Sequence, residues 1–258
     1  MDNFNKIIRR YAHKCARYVT SNSIYLLRKL DMFCGMQNNK KEETYMLKSN
    51  KTKLLISSIL IILPIFIGLI FWNQLPANIT THWGFDGTAD GWSSKPFAVF
   101  ALPLFLFLLH WFCLFITFTD PKNAEQNKNI FSLIIWIVPI ISLVTNGFIY
   151  LAAFNIHFST QLFTSILTGF IFIVIGSYLP KCKQNYTIGI KIPWTLNDEN
   201  NWNATHKFCG KVWIIGGILI LICGFLPQQI FFWVLFGLIL LITMIPFIYS
   251  YMYYTKHK

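Results

Sequence analysis

Six long apolar runs without a single Asp, Glu, Lys or Arg decide what this chain can fold into: Leu54–Trp72, Pro96–Phe118, Ile130–Phe154, Phe163–Leu179, Val212–Leu226 and Ile230–Met252. A helix needs about 20 apolar residues to cross a hydrocarbon core, and within that core only structures that satisfy their own backbone hydrogen bonds survive. The basic residues are sorted between the connecting segments. Threading the runs alternately puts 21 of the 22 Lys and Arg on one face and only Lys95 on the other. An excess of Lys and Arg marks the cytoplasmic side. The expected fold is therefore an all-α integral membrane protein with six transmembrane helices and both termini inside (N-in/C-in). The net charge of +12 would point to nucleic acid in a soluble protein. Here basic flanks facing an anionic inner leaflet account for it, so membrane lipid is an expected partner and direct nucleic-acid binding is not.

Residues 1–45 form a separate cytoplasmic extension. Phe4, Ile7, Ile8, Tyr11, Cys15, Tyr18 and Val19 follow the spacing of one helical face, with Lys6, Arg9, Arg10, Lys14 and Arg17 opposite. A basic amphipathic helix of this kind can lie on a membrane surface. A first unit over 46–120 then holds two spans and a structured outer loop, and 121–258 holds four spans and a long inner loop at 180–211. Six cysteines show no paired metal or disulfide spacing. No cleavable signal is evident, because the run after Lys53 lacks a small-x-small exit.

Two loops carry more than connection. The outer one, from Leu75 to Pro96, contains His82, Trp83, Asp86, Gly87, Asp90, Gly91 and Trp92. Asp86-Gly87 and Asp90-Gly91 read as turn dipeptides in which Gly supplies a positive φ. Trp83 and Trp92 suit the head-group layer. The loop is expected to fold back as a compact cap and act as an extracellular recognition surface. His82, Asp86 and Asp90 are a weak alternative as metal ligands, since their spacing is neither helical nor finger-like. The inner loop holds Asn185, Gly189, Lys191, Pro193, Trp194, Thr195, Trp202, Thr205 and His206. Ile188–Pro193 should be extended, and Thr195 followed by Asp198 has the form of a helix start. Trp202, Thr205, His206, Cys209 and Trp213 then share one face of a helix running into the fifth span.

The inner pattern Asn185-x-x-Ile188-Gly189-Ile190-Lys191-x-Pro193-Trp194-Thr195-Leu196, followed by Trp202-x-x-Thr205-His206-Lys207-x-x-Gly210, resembles the SdpI family of bacterial immunity membrane proteins. The outer loop, through Leu75-Pro76, Ile79, His82-Trp83, Gly87 and Asp90-Gly91, is similar to the domain of unknown function that commonly precedes that module. The resemblance runs from about Met46 to the C-terminus. It departs where the family more often has Arg-Thr before Pro-Trp-Thr and Arg after the His; here stand Lys191-Ile192 and Lys207, and Lys lacks the two-pronged donor of Arg. The resemblance implies a six-span protein of the bacterial plasma membrane that protects a cell from a secreted killing peptide. It also implies signalling, in which the toxin-bound protein draws a cytoplasmic transcriptional repressor to Trp194, Trp202 and the neighbouring lysines.

A transporter of peptides or small molecules is the alternative. It is weakened by the lack of intramembrane carboxylates or lysines, which coupling ions usually require; His110, at mid-span, reads as an interhelical hydrogen-bond partner and Asn146-Gly147 as packing glue. Pro64, Pro103, Pro139 and Pro246 offer kinks and an internal cleft. No nucleophile-base arrangement, phosphate loop or His-Glu metal helix is present, so neither an enzyme nor a cofactor is expected.

Overall fold

A computed structural model describes residues 47–126, 128–156 and 158–257. The amphipathic face expected over Phe4–Val19 lies outside them. Asn50–Lys258 form one unit containing six helices long and apolar enough to cross a membrane. Helix α1 (Lys51–Ile70) is followed by two strands, β1 (Asn78–Trp83) and β2 (Ala89–Ser94). A π-helical stretch, Phe97–Ala101, leads into α2 (Leu102–Thr119). Then come α3 (Lys128–Ala153), α4 (Thr160–Tyr178), the short α5 (Pro193–Asn197), α6 (Glu199–Cys223) and α7 (Gln228–Lys256). The mostly helical, six-span fold is as expected; the outer loop, expected as a compact cap, is an antiparallel β-hairpin paired from Asn78↔Ser94 to Trp83↔Ala89.

Proline placement explains two irregularities. Pro103 has no N–H to give the carbonyl four residues back, and the turn before it widens into the π-helical stretch. Pro64 likewise leaves α1 short of one bond, and α3 supplies donors on either side of it. Ser142 Oγ donates to the Ile61 carbonyl at 3.2 Å and Tyr150 Oη to the Pro64 carbonyl at 2.7 Å. His110 in α2 meets Ser57 in α1 at 3.2 Å, which makes it the interhelical partner the sequence suggested. Asn146 donates to Ser142 on its own helix, and a β-carbon on Gly147 would meet nothing within 4 Å. Gly147 is therefore not a packing contact; it lies in a groove between α3 and α4.

The closest helix pair is α4 with α6, and small residues let it form. A β-carbon on Gly169 would stand 2.7 Å from the Gly217 carbonyl oxygen, and one on Gly176 would stand 2.9 Å from that of Gly210. In a bilayer, where apolar side chains gain nothing by leaving lipid, such backbone approach is a main source of helix association. The two seven-residue intervals run antiparallel, so the rungs fall on successive crossings of one seam. Large apolar side chains elsewhere, such as Ile70, Phe112 and Ile222, stay exposed on the outer surface of the bundle, as lipid-facing positions should.

The ends of the bundle differ in charge. The hairpin end carries Asp86, Asp90 and Lys95 among the described residues, whereas the opposite end carries the lysines that flank α1, α3, α4 and α6.

Candidate functional site

At the hairpin end, the sequence builds a rigid arch. Ile79 is fully buried in a cluster with Leu75, Val99, Ile149 and Tyr150, which roots the hairpin on the π-helical stretch and on α3. Gly84–Gly87 makes the turn, closed by Gly87 N donating to the Gly84 carbonyl at 2.9 Å, with Gly87 at φ +73°. Asp86 caps it. Its Oδ1 accepts from Thr88 Oγ1 at 2.7 Å and Thr88 N at 3.0 Å, and these two bonds hold its exposed carboxyl below the usual carboxylate range. Asp90-Gly91 is not a second turn but part of β2; Gly91 is small because a β-carbon there would lie 2.8 Å from that of His82. His82 Nδ1 and Asp90 Oδ1 are 2.6 Å apart across the strands. The three candidate metal ligands are thus divided between a turn cap and a cross-strand pair, and no group of three His, Cys, Asp or Glu among the described residues could hold a metal ion.

Beneath the arch lies a cavity of about 590 Å³, walled by Trp83, Phe148, Phe163, Phe231, Phe232 and Leu235, with Thr145, Thr164 and Gln228 among its polar positions. Phe148 stacks on Phe163 at 4.0 Å and tilts against Trp83 at 4.9 Å. Phe85, at the hairpin tip, closes on Phe232 at 4.0 Å, and Thr160 Oγ1 donates to the Gly87 carbonyl at 3.2 Å. The arch thereby bridges to the first turns of α4 and α7. Trp92 is 59% exposed on the other side of the hairpin, so of the two expected anchors only Trp83 faces the cavity. Nothing in the sequence separated Phe148, Phe163, Phe231 and Phe232 from other aromatics in apolar runs.

At the opposite end, the inner motif is a closed polar floor. Asn185 is fully buried: its amide nitrogen donates to the Lys183 and Ile188 carbonyls at 2.8 and 2.9 Å, and its oxygen accepts from Thr187 N and Ile188 N. Thr195 Oγ1 donates to the Ile190 carbonyl at 2.7 Å and accepts from Ile192 N at 3.2 Å, serving α5, which Pro193 opens. It does not cap the long helix as expected. Asp198 does, accepting from Asn200 N, and the helix then runs into the fifth span as expected. Thr205 Oγ1 donates to Asn201 Oδ1, which also accepts from Ser250 Oγ of α7.

Trp202 and His206 hold the centre. Trp202 is 0% exposed, stacks on the His206 ring at 4.0 Å and donates Nε1–H to the Cys182 carbonyl at 2.8 Å. His206 Nε2 accepts from Ile190 N at 2.9 Å while Nδ1 lies 2.8 Å from the Trp202 carbonyl, so Nδ1 carries the proton and both nitrogens are engaged. Gly189, at φ +104°, passes directly over this pair. Burial pushes the Cys182 thiol up to about 11, leaving it a neutral packed group.

Sequence reasoning missed what grips this loop from the side. Asp120 Oδ2 accepts from Tyr186 N at 2.8 Å and Thr187 Oγ1 at 3.0 Å. Asn123 Nδ2 donates to Thr187 Oγ1 at 2.7 Å, and Gln126 exchanges two bonds with the Lys183 backbone at 3.0 and 3.1 Å. The available signal was Asp120-Pro121 standing at the end of an apolar run, with two amides following. Of the motif, Lys191 and Pro193 are exposed, and Trp194 is half-buried against Tyr251. The expectation that Trp202 could receive a partner is overturned, since no part of it reaches the surface.

Comparison with known proteins follows this geometry. The model of the SdpI/YfhL protein family matches residues 181–250, which span the floor, α6 and most of α7. A domain of unknown function, DUF1648, matches residues 59–107, which include the hairpin. A protein of Bacillus subtilis (strain 168) named "Immunity protein SdpI" is 26% identical over 204 residues, covering 79% of this chain and 97% of the relative. No solved structure matches. The hairpin and the floor thus fall in two separate matched segments, and the chain is a multi-pass cell-membrane protein in which a segment matching the SdpI/YfhL family follows one matching DUF1648.

Proposed function

We propose that this protein is an immunity protein of the bacterial cell membrane that intercepts a secreted killing peptide at the hairpin end. The observation that carries the reading is the arched cavity of about 590 Å³, within the range of ligand-binding sites, at the end of the bundle that carries a single lysine among the described residues. The similarity to a relative named as an immunity protein supports it. In this reading the hairpin faces outward and the polar floor and both termini face the cytoplasm, in keeping with the segregation of Lys and Arg. Binding suffices for protection; no bond has to be broken, and both nitrogens of His206 already serve the fold.

Producing the chain in a sensitive bacterium challenged with secreted membrane-active peptides, the sporulation-delaying toxin among them, should raise survival. Unchanged survival across the panel would refute the proposal. A cytoplasmic repressor is the second partner in this reading. Tyr186, Lys191 and Pro193 are exposed on the floor and are where it would dock. Recruitment lost in Lys191→Glu with protection intact would support that role, and recruitment unaffected by substitution at all three would remove it.

A further inference from the structure

The cavity and the charge around it also constrain the chemistry of the occupant. The walls are aromatic and aliphatic, and apolar side chains in them are held by burial and by offset or edge-on ring contacts. The rim is acidic. Asp90 is engaged with His82 across the strands, and Lys95 is drawn away, its Nζ 2.9 Å from the Trp72 carbonyl and over the Trp72 ring. Asp86 differs. Both hydrogen bonds from Thr88 land on Oδ1, and Oδ2 accepts none among the described residues. The carboxylate stands exposed at the hairpin tip, one residue from Phe85 and Gly87, both of which line the cavity.

An apolar chamber beside an unpaired, solvent-facing anion suits a ligand that is itself divided. From this geometry we infer that the site takes a cationic amphipathic peptide, its apolar or aromatic side chains in the chamber and a Lys, Arg or amino-terminal charge on Asp86 Oδ2. A phospholipid fits less well. Its acyl chain would suit the walls, but its phosphate would sit at the acidic rim. A second, more apolar groove of about 420 Å³ between α3 and α4 shares Phe148 and Phe163 with the chamber and includes Gly147. The stacked pair is therefore a single wall between the chamber and the lipid-facing side of the bundle, and acyl chains have that groove available without entering the chamber.

This assignment rests on the immunity reading, and the two can be tested apart. The full chain in phosphatidylcholine nanodiscs is titrated with a fluorescent amphipathic Leu/Phe/Lys peptide and its Leu/Phe/Glu counterpart. The Lys peptide should bind about tenfold tighter, since like charge at a rim is penalised. Asp86→Asn keeps an Oδ1 acceptor for Thr88 and removes the charge; it should weaken the Lys peptide about threefold, the scale of an exposed ion pair. Thr164→Cys, with its own affinity before labelling as the reference, should lose binding once a bulky methanethiosulfonate fills the chamber after folding. Equal affinity for the two peptides, no effect of Asp86→Asn, no binding of either peptide, or full binding after the chamber is filled would each overturn the inference. In cells, wild-type protection that survives Asp86→Asn and Thr164→Phe together would sink this assignment while leaving immunity standing. Absent wild-type protection would sink immunity, with the nanodisc titration still deciding the ligand.

Discussion

Gly189→Ala tests how the floor is held. Gly189 sits at φ +104°, and a β-carbon there would lie 2.5 Å from His206 Nε2 and 3.1 Å from the Trp202 ring. Two costs follow. The backbone conformation alone costs an L-residue about 1–3 kcal/mol. The methyl also occupies the space in which Nε2 accepts from Ile190 N at 2.9 Å. Displacing the ring leaves a part-buried N–H without its acceptor, at about 1–3 kcal/mol. The substitution should therefore destabilise by about 2–6 kcal/mol in total.

A double-mutant cycle separates the two costs. In a His206→Ala background the ring is gone and Ile190 N has already lost its acceptor, so Gly189→Ala should cost only the backbone share. A coupling energy of about 1–3 kcal/mol is expected, within the usual range for residues in contact. Reversible unfolding in mixed micelles with rising SDS fraction, followed by Trp fluorescence, would give all four stabilities. Equal cost of Gly189→Ala in both backgrounds would refute the reasoning, because glycine would then serve the backbone alone and not the ring beneath it.

Trp202→Phe keeps the stack on His206 but removes the donor to the Cys182 carbonyl, and should cost about 1–3 kcal/mol in the same unfolding assay. Gly217→Val inserts a branched side chain where a β-carbon would already be 2.6 Å from the Gly169 carbonyl oxygen; a loss of about 1–3 kcal/mol and a widened α4–α6 spacing by double electron–electron resonance are expected. Asp120→Asn retains a single acceptor oxygen for Lys122 N, Tyr186 N and Thr187 Oγ1, so amide exchange at Tyr186 should accelerate while the hairpin amides stay protected. Asp86 has a folded-state pKa below the ordinary 3.8, so its contribution is present above that value and is lost as pH falls through the lower folded one; Thr88 amide exchange should rise there, and Asp86→Asn should abolish that pH dependence.

The spans were legible because hydrocarbon enforces a simple rule: every charge stays out of the six runs, and all but Val212–Leu226 approach the length needed to cross by themselves. The continuation of α6 from the inner loop into the fifth span was legible for a related reason, since Trp202, His206 and Cys209 keep helical spacing ahead of the apolar run. The hairpin was hidden. Its strands are six residues each, with Thr, Ser, Gly and Asp that read equally as loop, and what fixes them is Ile79 buried against the π-helical stretch and α3. Asp90-Gly91 looked like a turn because the dipeptide allows one, but the cross-strand pairing of Asp90 with His82 fixes it in a strand. The chamber was invisible for a different reason. Its aromatic walls come from β1, α3, α4 and α7, and their convergence depends on packing between segments far apart in sequence; the α4–α6 seam shows in sequence only as glycines seven apart, Gly169 and Gly176 on one helix and Gly210 and Gly217 on the other.

The division between the two ends carries a consequence for the family pattern itself. Asn185, Thr195, Trp202, Thr205 and His206 are each 0–1% exposed. Their polar atoms go to backbone groups of Lys183, Ile188, Ile190, Ile192 and Cys182, or to Asn201. That is the requirement of a non-helical loop tucked against a membrane bundle, where each unmet backbone group is costly: short amides and hydroxyls at the turns, a glycine where rings press close, and one tryptophan reaching back. A sequence pattern built of such residues identifies the floor and is silent about the ligand. In the proposed reading the residues that meet a ligand lie at the other end, in the aromatic walls and at the hairpin tip, where Asp86→Asn would remove the charge and keep the acceptor for Thr88. Transplanting the hairpin and chamber residues from a relative with a different peptide specificity should carry that specificity with them, whereas exchanging floor residues should alter stability alone.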